Sequence, residues 1–366
     1  MKLLCQRLCI IAIVTVMGFT LAACDNGTVG HSEFMYKTDG NSITITKYTG
    51  AGGSVTIPAQ ISGKPVTRIG DYAFYGCGNL TGIIIPNSVT GIGASAFVGC
   101  RNLTDVTIPD SVTSIGGYAF ASCTSLGSVT IPDSVISIGE RAFSYCTSLT
   151  SIAIPGSVIT IGRYAFLGCR SLTDITIPDS VTTIEHQTFF NCTSLTGVTI
   201  PNSVTSIEWG AFSYCTSLTS VTIPDSVNTI EEMVFIGCRN LTSITIPNSV
   251  TTIEERTFFY CKSLTAITIP DSVTTIGEYA FLYCTSLAHI AIPDSITSIG
   301  TGVFYECISL ISVTFEDTIS SVNFSANGSF PGNLRDKFYE TDSSNGTPGT
   351  YTRPDGESLT WTLQQQ

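Results

Sequence analysis

The amino-acid sequence predicts a mostly β repeat protein, a solenoid of stacked 23-residue coils. Eleven cysteines from Cys77 to Cys307 recur every 23 residues, and ten prolines from Pro86 to Pro293 keep the same step without an insertion. Strict repetition at a period of roughly 20 to 50 residues is typical of solenoids, because each unit buries its apolar face only by stacking on its neighbours. The repeats therefore predict one continuous rod.

Each unit begins with a short strand and continues through a corner. Residues 106–108 read Val-Thr-Ile, the inward and outward alternation of a half-buried strand. Pro109 lacks an N–H group for a β-ladder, so we expect the strand to end just before it. After a second β-branched piece at residues 112–115, the motif Ala-Phe-x-x-Cys-x-x-Leu at residues 119–126 places apolar side chains every three positions. This spacing predicts a 3₁₀ or single helical turn, and stacking predicts that the short strands pair in parallel.

The complete motif is Leu-x-x-Ile-x-Ile-Pro followed by Ser-Val-x-x-Ile-Gly-x-x-Ala-Phe-x-x-Cys-x-Ser-Leu. It resembles the BspA-like, or treponemal-type, leucine-rich repeat over residues 55–315. The resemblance implies a curved, right-handed leucine-rich-repeat solenoid on a bacterial surface protein. It also implies an adhesin or host-interaction role, with matrix or plasma proteins as partners.

The N-terminal segment has the pattern of an export signal. Lys2 and Arg7 precede an apolar run, and Leu21-Ala22-Ala23 stands directly before Cys24. This ending resembles a bacterial lipobox, which implies cleavage after residue 23 and acylation of Cys24. An uncleaved transmembrane anchor is less favoured, since the run is shorter than the ~20 residues that span a bilayer. We therefore expect an exported lipoprotein at the outer cell surface, held to the membrane only by its lipid.

The remaining chain divides by composition and register. Residues 24–41 are polar and aperiodic, which predicts a flexible tether. Residues 42–66 predict an atypical capping coil, and residues 67–315 hold the eleven repeats. Residues 316–366 lose the register and predict a C-terminal cap or tail, with a short helix at residues 333–339 and Tyr351 and Trp361 covering the last coil. A separate C-terminal domain is less favoured because so short a segment buries little surface alone.

Composition and cysteine spacing exclude several functions. The formal net charge is −12 with only 12% charged residues, a profile that argues against nucleic acid as a partner. Equivalent cysteines of adjacent coils are expected about 4.8 Å apart, beyond the ~3.5–4.5 Å Cβ separation of a disulfide. The cysteines therefore predict reduced, buried thiols. A straight file of thiols does not suit tetrahedral zinc either.

Nothing in the sequence predicts catalysis or a cofactor. The three histidines, His31, His186 and His289, lie far apart in the chain, and neither a phosphate loop nor a serine elbow is present. Catalysis also needs a unique constellation of groups, whereas this chain repeats the same side chains. We therefore expect a protein that is not an enzyme.

Three files of outward residues are the candidate sites. The strand face carries a threonine ladder, and a second edge carries tyrosines that directly precede their cysteines. The alternatives are that threonine simply suits a solvent-facing strand and that the tyrosine rings lie flat over the neighbouring coil. The residues are Thr130, Thr176, Thr222 and Thr268 for the strand face, and Tyr145, Tyr214, Tyr260 and Tyr283 for the edge.

The third file consists of glutamates that replace the glycine of the motif, at Glu185, Glu208, Glu231 and Glu254. Stacked like charges favour screening by solvent or by a cation. A solvated stripe is the favoured interpretation, and a weak calcium site is the alternative.

The predicted function is therefore a lipid-anchored bacterial surface protein for adhesion or binding, presenting its solenoid to an extracellular or host protein or glycan. The alternative is a structural envelope or spacer protein without a specific ligand.

Overall fold

The computed structural model describes residues 33–364, in which 28 β-strands and one short helix occur. The predicted mostly β solenoid is confirmed, with repeats of about 23 residues and parallel strands. The predicted signal segment at residues 1–23, the proposed lipidation site Cys24 and the first part of the predicted tether lie outside the described residues.

The N-terminal cap begins earlier than the sequence suggested. Strand β1 (Phe34–Asp39) pairs antiparallel with β2 (Ser42–Tyr48). The prediction that residues 24–41 form a flexible tether is therefore wrong for β1. Phe34 and Tyr36 point inward from this strand and are buried, so β1 covers the open end of the first coil. The cap continues through β3 (Gly53–Thr56), β4 (Gln60–Ile61) and β5 (Lys64–Ile69).

From residue 80 onward, each coil carries two short strands, which we call the first and second strands. The first strands are β6 (Leu80–Ile84), β8 (Asp105–Thr107), β10 (Ser128–Thr130), β12 (Ser151–Ala153), β14 (Asp174–Thr176), β16 (Gly197–Thr199), β18 (Ser220–Thr222), β20 (Ser243–Thr245), β22 (Ala266–Thr268), β24 (His289–Ile292) and β26 (Ser312–Phe315). The second strands are β7 (Gly91–Ile92), β9 (Ser114–Ile115), β11 (Ser137–Ile138), β13 (Thr160–Ile161), β15 (Thr183–Ile184), β17 (Ser206–Ile207), β19 (Thr229–Ile230), β21 (Thr252–Ile253), β23 (Thr275–Ile276) and β25 (Ser298–Ile299).

Parallel pairing follows the repeat without a register shift in these coils. Val129 of β10 lies opposite Val106 of β8 on one side and Ile152 of β12 on the other. Strand β8 ends at Thr107, two residues before Pro109, as the missing N–H group of proline requires. The column of prolines therefore lies just beyond the ladder.

Between the second strand and the next first strand, each coil runs through a series of turns. Within one coil, the Cys123 N–H donates to the Phe120 carbonyl three residues earlier, at 3.2 Å. The Tyr118 N–H instead donates to the Glu140 carbonyl of the next coil, at 2.7 Å. Because Tyr118 has a left-handed φ of 58°, the turns do not continue as a 3₁₀ helix. The predicted three-residue period is therefore realised as separate turns that also join adjacent coils.

Stacked phenylalanine rings fill the core beneath these turns. Adjacent ring centroids are 4.9 to 5.8 Å apart, and the rings lie nearly parallel. Both caps extend the stack, with Tyr48 against Phe74 at one end and Phe330 against Phe304 at the other. The stacked residues are Phe74, Phe97, Phe120, Phe143, Phe166, Phe189, Phe212, Phe235, Phe258, Phe281 and Phe304.

The repeat cysteines lie beside this stack as free thiols. All eleven are free, ten are buried, and Cys77 is half-buried. From Cys100 onward, each Sγ donates to the phenylalanine carbonyl of the preceding coil at 3.1 to 3.2 Å. Burial raises the pKa of Cys77 to about 11 and that of Cys307 to about 12. The cysteines are thus hydrogen-bond donors between coils as well as apolar spacers.

The C-terminal cap contains helix α1 (Leu334–Phe338), β27 (Gly349–Thr352) and β28 (Thr362–Leu363). The predicted short helix is present, and Tyr351 and Trp361 are fully buried over the last coil. Strand β27 pairs antiparallel with β26 and ends its parallel ladder. Within residues 33–364, no helix has both the length and the apolar character needed to cross a membrane.

A buried arginine completes this cap. Arg353 donates its guanidinium hydrogens to the backbone carbonyls of Leu310, Ile308 and Ser358, and it lies over the Trp361 ring. It thereby satisfies carbonyl groups of the last coil that have no further coil to pair with.

Candidate functional site

The strand face is uniform. Its four predicted threonines are exposed and point outward from β10, β14, β18 and β22. Thr222 lies in register with Thr245, which lies in register with Thr268. The outward positions of the described first strands from β8 to β22 are small or polar and include no aromatic residue. This face therefore offers a flat array of hydroxyl groups without a large contact residue.

The turn face is formed by residues 117–122 and their equivalents in every coil. Two positions of each coil are left-handed, as at Tyr118 (φ 58°) and Ser122 (φ 59°). A left-handed non-glycine residue costs roughly 1–3 kcal/mol. Glycine occupies the second of these positions in some coils, for example at Gly168 and Gly237. The backbone conformation at either position therefore favours glycine, and any other residue there is strained.

Two of the predicted tyrosines occupy the second left-handed position and are solvent-exposed. Tyr145 is 47% exposed and Tyr214 is 39% exposed. Each ring also lies against a glycine of the next coil, where a Cβ atom at Gly168 or Gly237 would approach the ring Cδ1 atom to 2.8 or 2.7 Å. The Tyr214 ring also meets the Phe190 ring of the preceding coil edge to face, with centroids 5.4 Å apart. Both tyrosines are thus exposed but rest partly on neighbouring coils.

The other two predicted tyrosines form a packed pair. Tyr260 and Tyr283 are half-buried, and their rings meet edge to face with centroids 5.4 Å apart. Phe259 packs on both rings, and the Lys262 ammonium lies 4.5 Å from the Tyr260 ring centroid. The four predicted tyrosines therefore share one column but do not form one continuous exposed file.

Sequence reasoning missed most of the tyrosines on this face. Ten of the fourteen tyrosines of the chain lie in the turns, and six of these were not predicted. Four occupy x-Tyr-Ala-Phe, four residues before the tyrosine position that was considered, so this pattern was the available signal. The six are Tyr72, Tyr75, Tyr118, Tyr164, Tyr279 and Tyr305.

Cations lie between some of these rings. The Arg141 guanidinium is 5.3 Å from the Tyr118 ring centroid and 4.1 Å from that of Tyr164, so it lies between tyrosines of the two adjacent coils. Arg256 lies 5.3 Å from the Tyr279 ring centroid. The turn face thus combines aromatic rings with positive charge.

The predicted glutamate file is not a uniform solvated stripe. Glu185 pairs with Arg163 instead, with 3.4 Å between Oε2 and Nε. Burial raises the pKa of the Glu254 carboxyl, and the charges of Glu232 and Glu231 raise it further. The end members of the file therefore have different environments.

Its two middle members lie beside a histidine. His186, Glu208 and Glu231 offer ligand atoms that lie within 4.8 Å of one another. His186 clusters with glutamates of the next two coils, whereas His31 lies outside the described residues. The available signal was the spacing of 22 and then 23 residues, about one coil in each case.

Comparison with known families decides what the repeat is. A sequence profile of the BspA type leucine rich repeat region, which contains six copies, matches residues 67–196, 113–242, 159–288 and 210–330. Together these segments cover more than half of the chain. The chain belongs to the BspA-type leucine-rich repeat family. The resemblance seen in the sequence motif is thereby confirmed.

Solved structures of bacterial leucine-rich repeat proteins are similar to this BspA-type chain. A leucine-rich repeat protein from Bacteroides ovatus is 29% identical, with a TM-score of 0.57, over 87% of this chain and 98% of its own. A leucine rich cell surface protein from Faecalibacterium prausnitzii is 33% identical, with a TM-score of 0.49, over 80% and 96%. The pneumococcal vaccine antigen PcpA shares the fold at 20% identity, with a TM-score of 0.52, over 83% and 86%.

No curated protein matches the chain. BspA-type repeat proteins are typically non-enzymatic binding proteins.

Proposed function

We propose that this BspA-type protein is a lipid-anchored bacterial surface protein that binds an extracellular or host protein or glycan through its turn face. The observation that carries the proposal is the concentration of tyrosines on one side of the solenoid, with Tyr72, Tyr118, Tyr145 and Tyr214 all exposed. Tyrosine presents a large apolar face with a polar tip and is enriched at protein contacts.

The backbone supports this assignment. Tyr72, Tyr118, Tyr145 and Tyr214 all have φ between 58° and 59°, where glycine would be less strained. Folding alone would therefore favour glycine or asparagine at these positions, and the exposed rings contribute little to the core. Retention of tyrosine there favours a role in binding. Several such rings on one rigid rod also allow an extended partner to be held at several points at once.

Anchoring rests on the sequence around Cys24 and on the homologues, which are bacterial cell-surface proteins. A lipoprotein cysteine carries two or more acyl chains, and each buried methylene contributes ~0.8 kcal/mol, so the lipid alone holds the chain at the membrane.

The anchor is tested by metabolic labelling with a palmitate analogue. The wild-type chain and Cys9→Ser, which changes a cysteine within the predicted signal, should both carry label and sediment with membranes. Cys24→Ser should lose both. Label and membrane association retained in Cys24→Ser would place the anchor elsewhere.

Partner binding is tested with the soluble chain beginning at residue 25, presented to a panel of purified matrix proteins, serum proteins and glycans. A saturable interaction that an excess of the same soluble chain, free in solution, competes away supports the proposal. Absence of saturable binding across the panel would favour the alternative function of a structural spacer.

A further inference from the structure

Three metal-ligating side chains from successive coils meet where the second strands lead into the turn face. His186, Glu208 and Glu231 each bring one ligand atom to within 4.8 Å of the others. His186 Nδ1 and Glu208 Oε2 are 3.7 Å apart, too far for a hydrogen bond. Two ligands of a tetrahedral zinc ion, with bonds of about 2.1 Å, are themselves about 3.4 Å apart. The three groups therefore have the spacing of a coordination site.

The imidazole nitrogen that faces the carboxylates lacks a hydrogen-bond partner. Among the described residues, His186 Nδ1 and Thr46 Oγ1 are the buried side-chain polar atoms without one. Leaving such an atom unpaired costs about 1–3 kcal/mol. A cation at this point would accept the nitrogen lone pair and neutralise the adjacent carboxylates.

Both carboxylates are already oriented by hydrogen bonds to one of their oxygens. Glu208 Oε1 accepts a hydrogen bond from Ser206 Oγ at 2.6 Å, and Glu231 Oε2 accepts one from the Trp209 N–H at 2.7 Å. The second oxygen of each carboxylate remains available. Donors that fix one oxygen in this way are typical of the groups that orient metal ligands.

The surroundings are acidic and belong to a distinct part of the solenoid. Glu232 and Glu254 line the same groove as His186 and Glu231. Burial raises the pKa of the Glu231 carboxyl, whereas the Trp209 N–H lowers it and the Glu208 carboxylate raises it. The coils of this cluster contribute the second strands β15, β17 and β19, which pair in parallel. Here glutamate replaces the glycine of the motif, and the negative charge is left without a nearby lysine or arginine in the groove lining.

We propose that His186, Glu208 and Glu231 bind a divalent transition-metal cation of the zinc class. An imidazole with two carboxylates suits zinc, whereas calcium takes about six to eight oxygen ligands. Three protein ligands leave one position for water or for a donor from outside the chain. This site does not depend on the proposed partner-binding function.

The test is a calorimetric titration that measures the binding of Zn²⁺ to the full-length chain in detergent. One ion should bind per chain, and His186→Gln and Glu231→Gln should each weaken binding at least tenfold. The matched controls are His289→Gln, on the strand face, and Glu278→Gln, in an equivalent turn outside the cluster. Both controls should bind as the wild type does. Unfolding of each metal-free variant by urea verifies that the solenoid is intact. Glu208→Gln tests the third ligand independently.

Cobalt substitution distinguishes this site from the buried thiols. Co²⁺ held by nitrogen and oxygen gives visible ligand-field bands without the intense near-ultraviolet charge transfer of a thiolate. Such bands, lost in His186→Gln, would support the proposal. A thiolate band, equal losses in His289→Gln, displacement of Zn²⁺ by equimolar Ca²⁺, or no stoichiometric binding would each overturn it.

Discussion

The strand face and the turn face share one core, yet they differ in how closely they follow the repeat. Outward residues of the first strands from β8 to β22 are small or polar, and most are threonine or serine, as at Thr222 and Thr268. The two left-handed positions of the turns are more varied. They hold glycine, tyrosine, serine, arginine, glutamine, methionine, asparagine or glutamate, as at Gly168, Tyr145 and Asn191. The comparison teaches that uniform positions serve stacking, while the positions that vary are where a repeat protein can carry a specific site.

Hydrogen bonds between coils hold the columns that flank the first strands. Threonines beside the first strands bond to the coil before them, as when Thr173 Oγ1 donates to the Thr150 carbonyl at 3.3 Å. Serines after the prolines do the same, as when Ser203 Oγ donates to the Val181 carbonyl at 2.7 Å. The exposed turn side chains Tyr145 and Tyr214 instead rest on glycines of the next coil, Gly168 and Gly237. Selection for stacking therefore leaves the turn side chains freer to vary.

The largest expected effect is a loss of stability at high pH, and it arises only in the part of the core beneath the turn face. Thiols lie under the turns, whereas valine and isoleucine lie under the first strands. Burial raises the pKa of the Cys146, Cys192 and Cys261 thiols well above the ordinary value of 9.0. Their contribution to stability is complete below about pH 9 and is lost above it, because the unfolded chain ionises there while the folded chain keeps its protons.

Urea unfolding at about pH 8 and about pH 10 measures this loss. Each thiol with a raised pKa contributes up to about 1.4 kcal/mol per pH unit above its ordinary pKa, so together they should lower the free energy of unfolding by on the order of 10 kcal/mol. The double variant Cys192→Ala/Cys261→Ala should show a shallower fall. A free energy of unfolding that is equal at both pH values would contradict the burial of the thiols.

The next effect concerns glycines at the two faces. A Cβ atom at Gly139, which begins a turn, would lie 2.5 Å from the Gly117 nitrogen of the preceding coil. Gly139→Ala should therefore reduce the free energy of unfolding by about 1–3 kcal/mol. A Cβ atom at Gly127, beside the first strand, meets no atom within 4 Å.

Gly127 occupies the column in which Thr104 and Thr150 stand. Gly127→Thr should stabilise the chain by about 0.5–1 kcal/mol, because it removes backbone freedom from the unfolded chain. Thermal and urea unfolding of both variants check the pair. Equal destabilisation by the two substitutions would show that coil spacing is the same on both sides.

The smallest effect comes from placing one residue type on both faces. Tyr145→Val should cost about 1–2 kcal/mol, because a β-branched residue is strained at a φ of 58°. Thr130→Val on the strand face should change stability by less than about 0.5 kcal/mol, since valine suits a strand. Tyr145→Asn is the control for the turn, because asparagine tolerates the left-handed region and already occupies it at Asn191. An equal loss of unfolding free energy in both valine variants would show that the left-handed backbone at residue 145 is not strained.

The regular features of the fold were predictable because each is repeated. A single coil sufficed to predict the strand before Pro109 and the inward positions of Phe120 and Cys123, and their equivalents are buried in every coil except at Cys77. Strand β1 was missed because it occurs once and has no equivalent with which to compare it. The cap contacts of Arg353 were missed for the same reason.

The candidate sites were less predictable because they depend on backbone conformation and on contacts between coils. Nothing in the sequence next to Tyr145 distinguishes a left-handed φ from an ordinary turn. His186 and Glu231 are two coils apart, so their proximity appears only once the coils are superimposed with an offset of one residue. Both features belong to the stack rather than to any one repeat.

The central claim is that binding resides on the turn face, and the most direct test compares two sets of four substitutions. The turn set replaces Tyr72, Tyr118, Tyr145 and Tyr214 by asparagine, and the strand set replaces Thr130, Thr176, Thr222 and Thr268 by serine. The dissociation constant for the partner identified from the panel is measured for each set by surface plasmon resonance, with urea unfolding as the check on folding. We expect the turn set to weaken binding more than about tenfold while the strand set stays within about twofold. Normal binding by a folded turn set, or a greater loss in the strand set, would contradict the account.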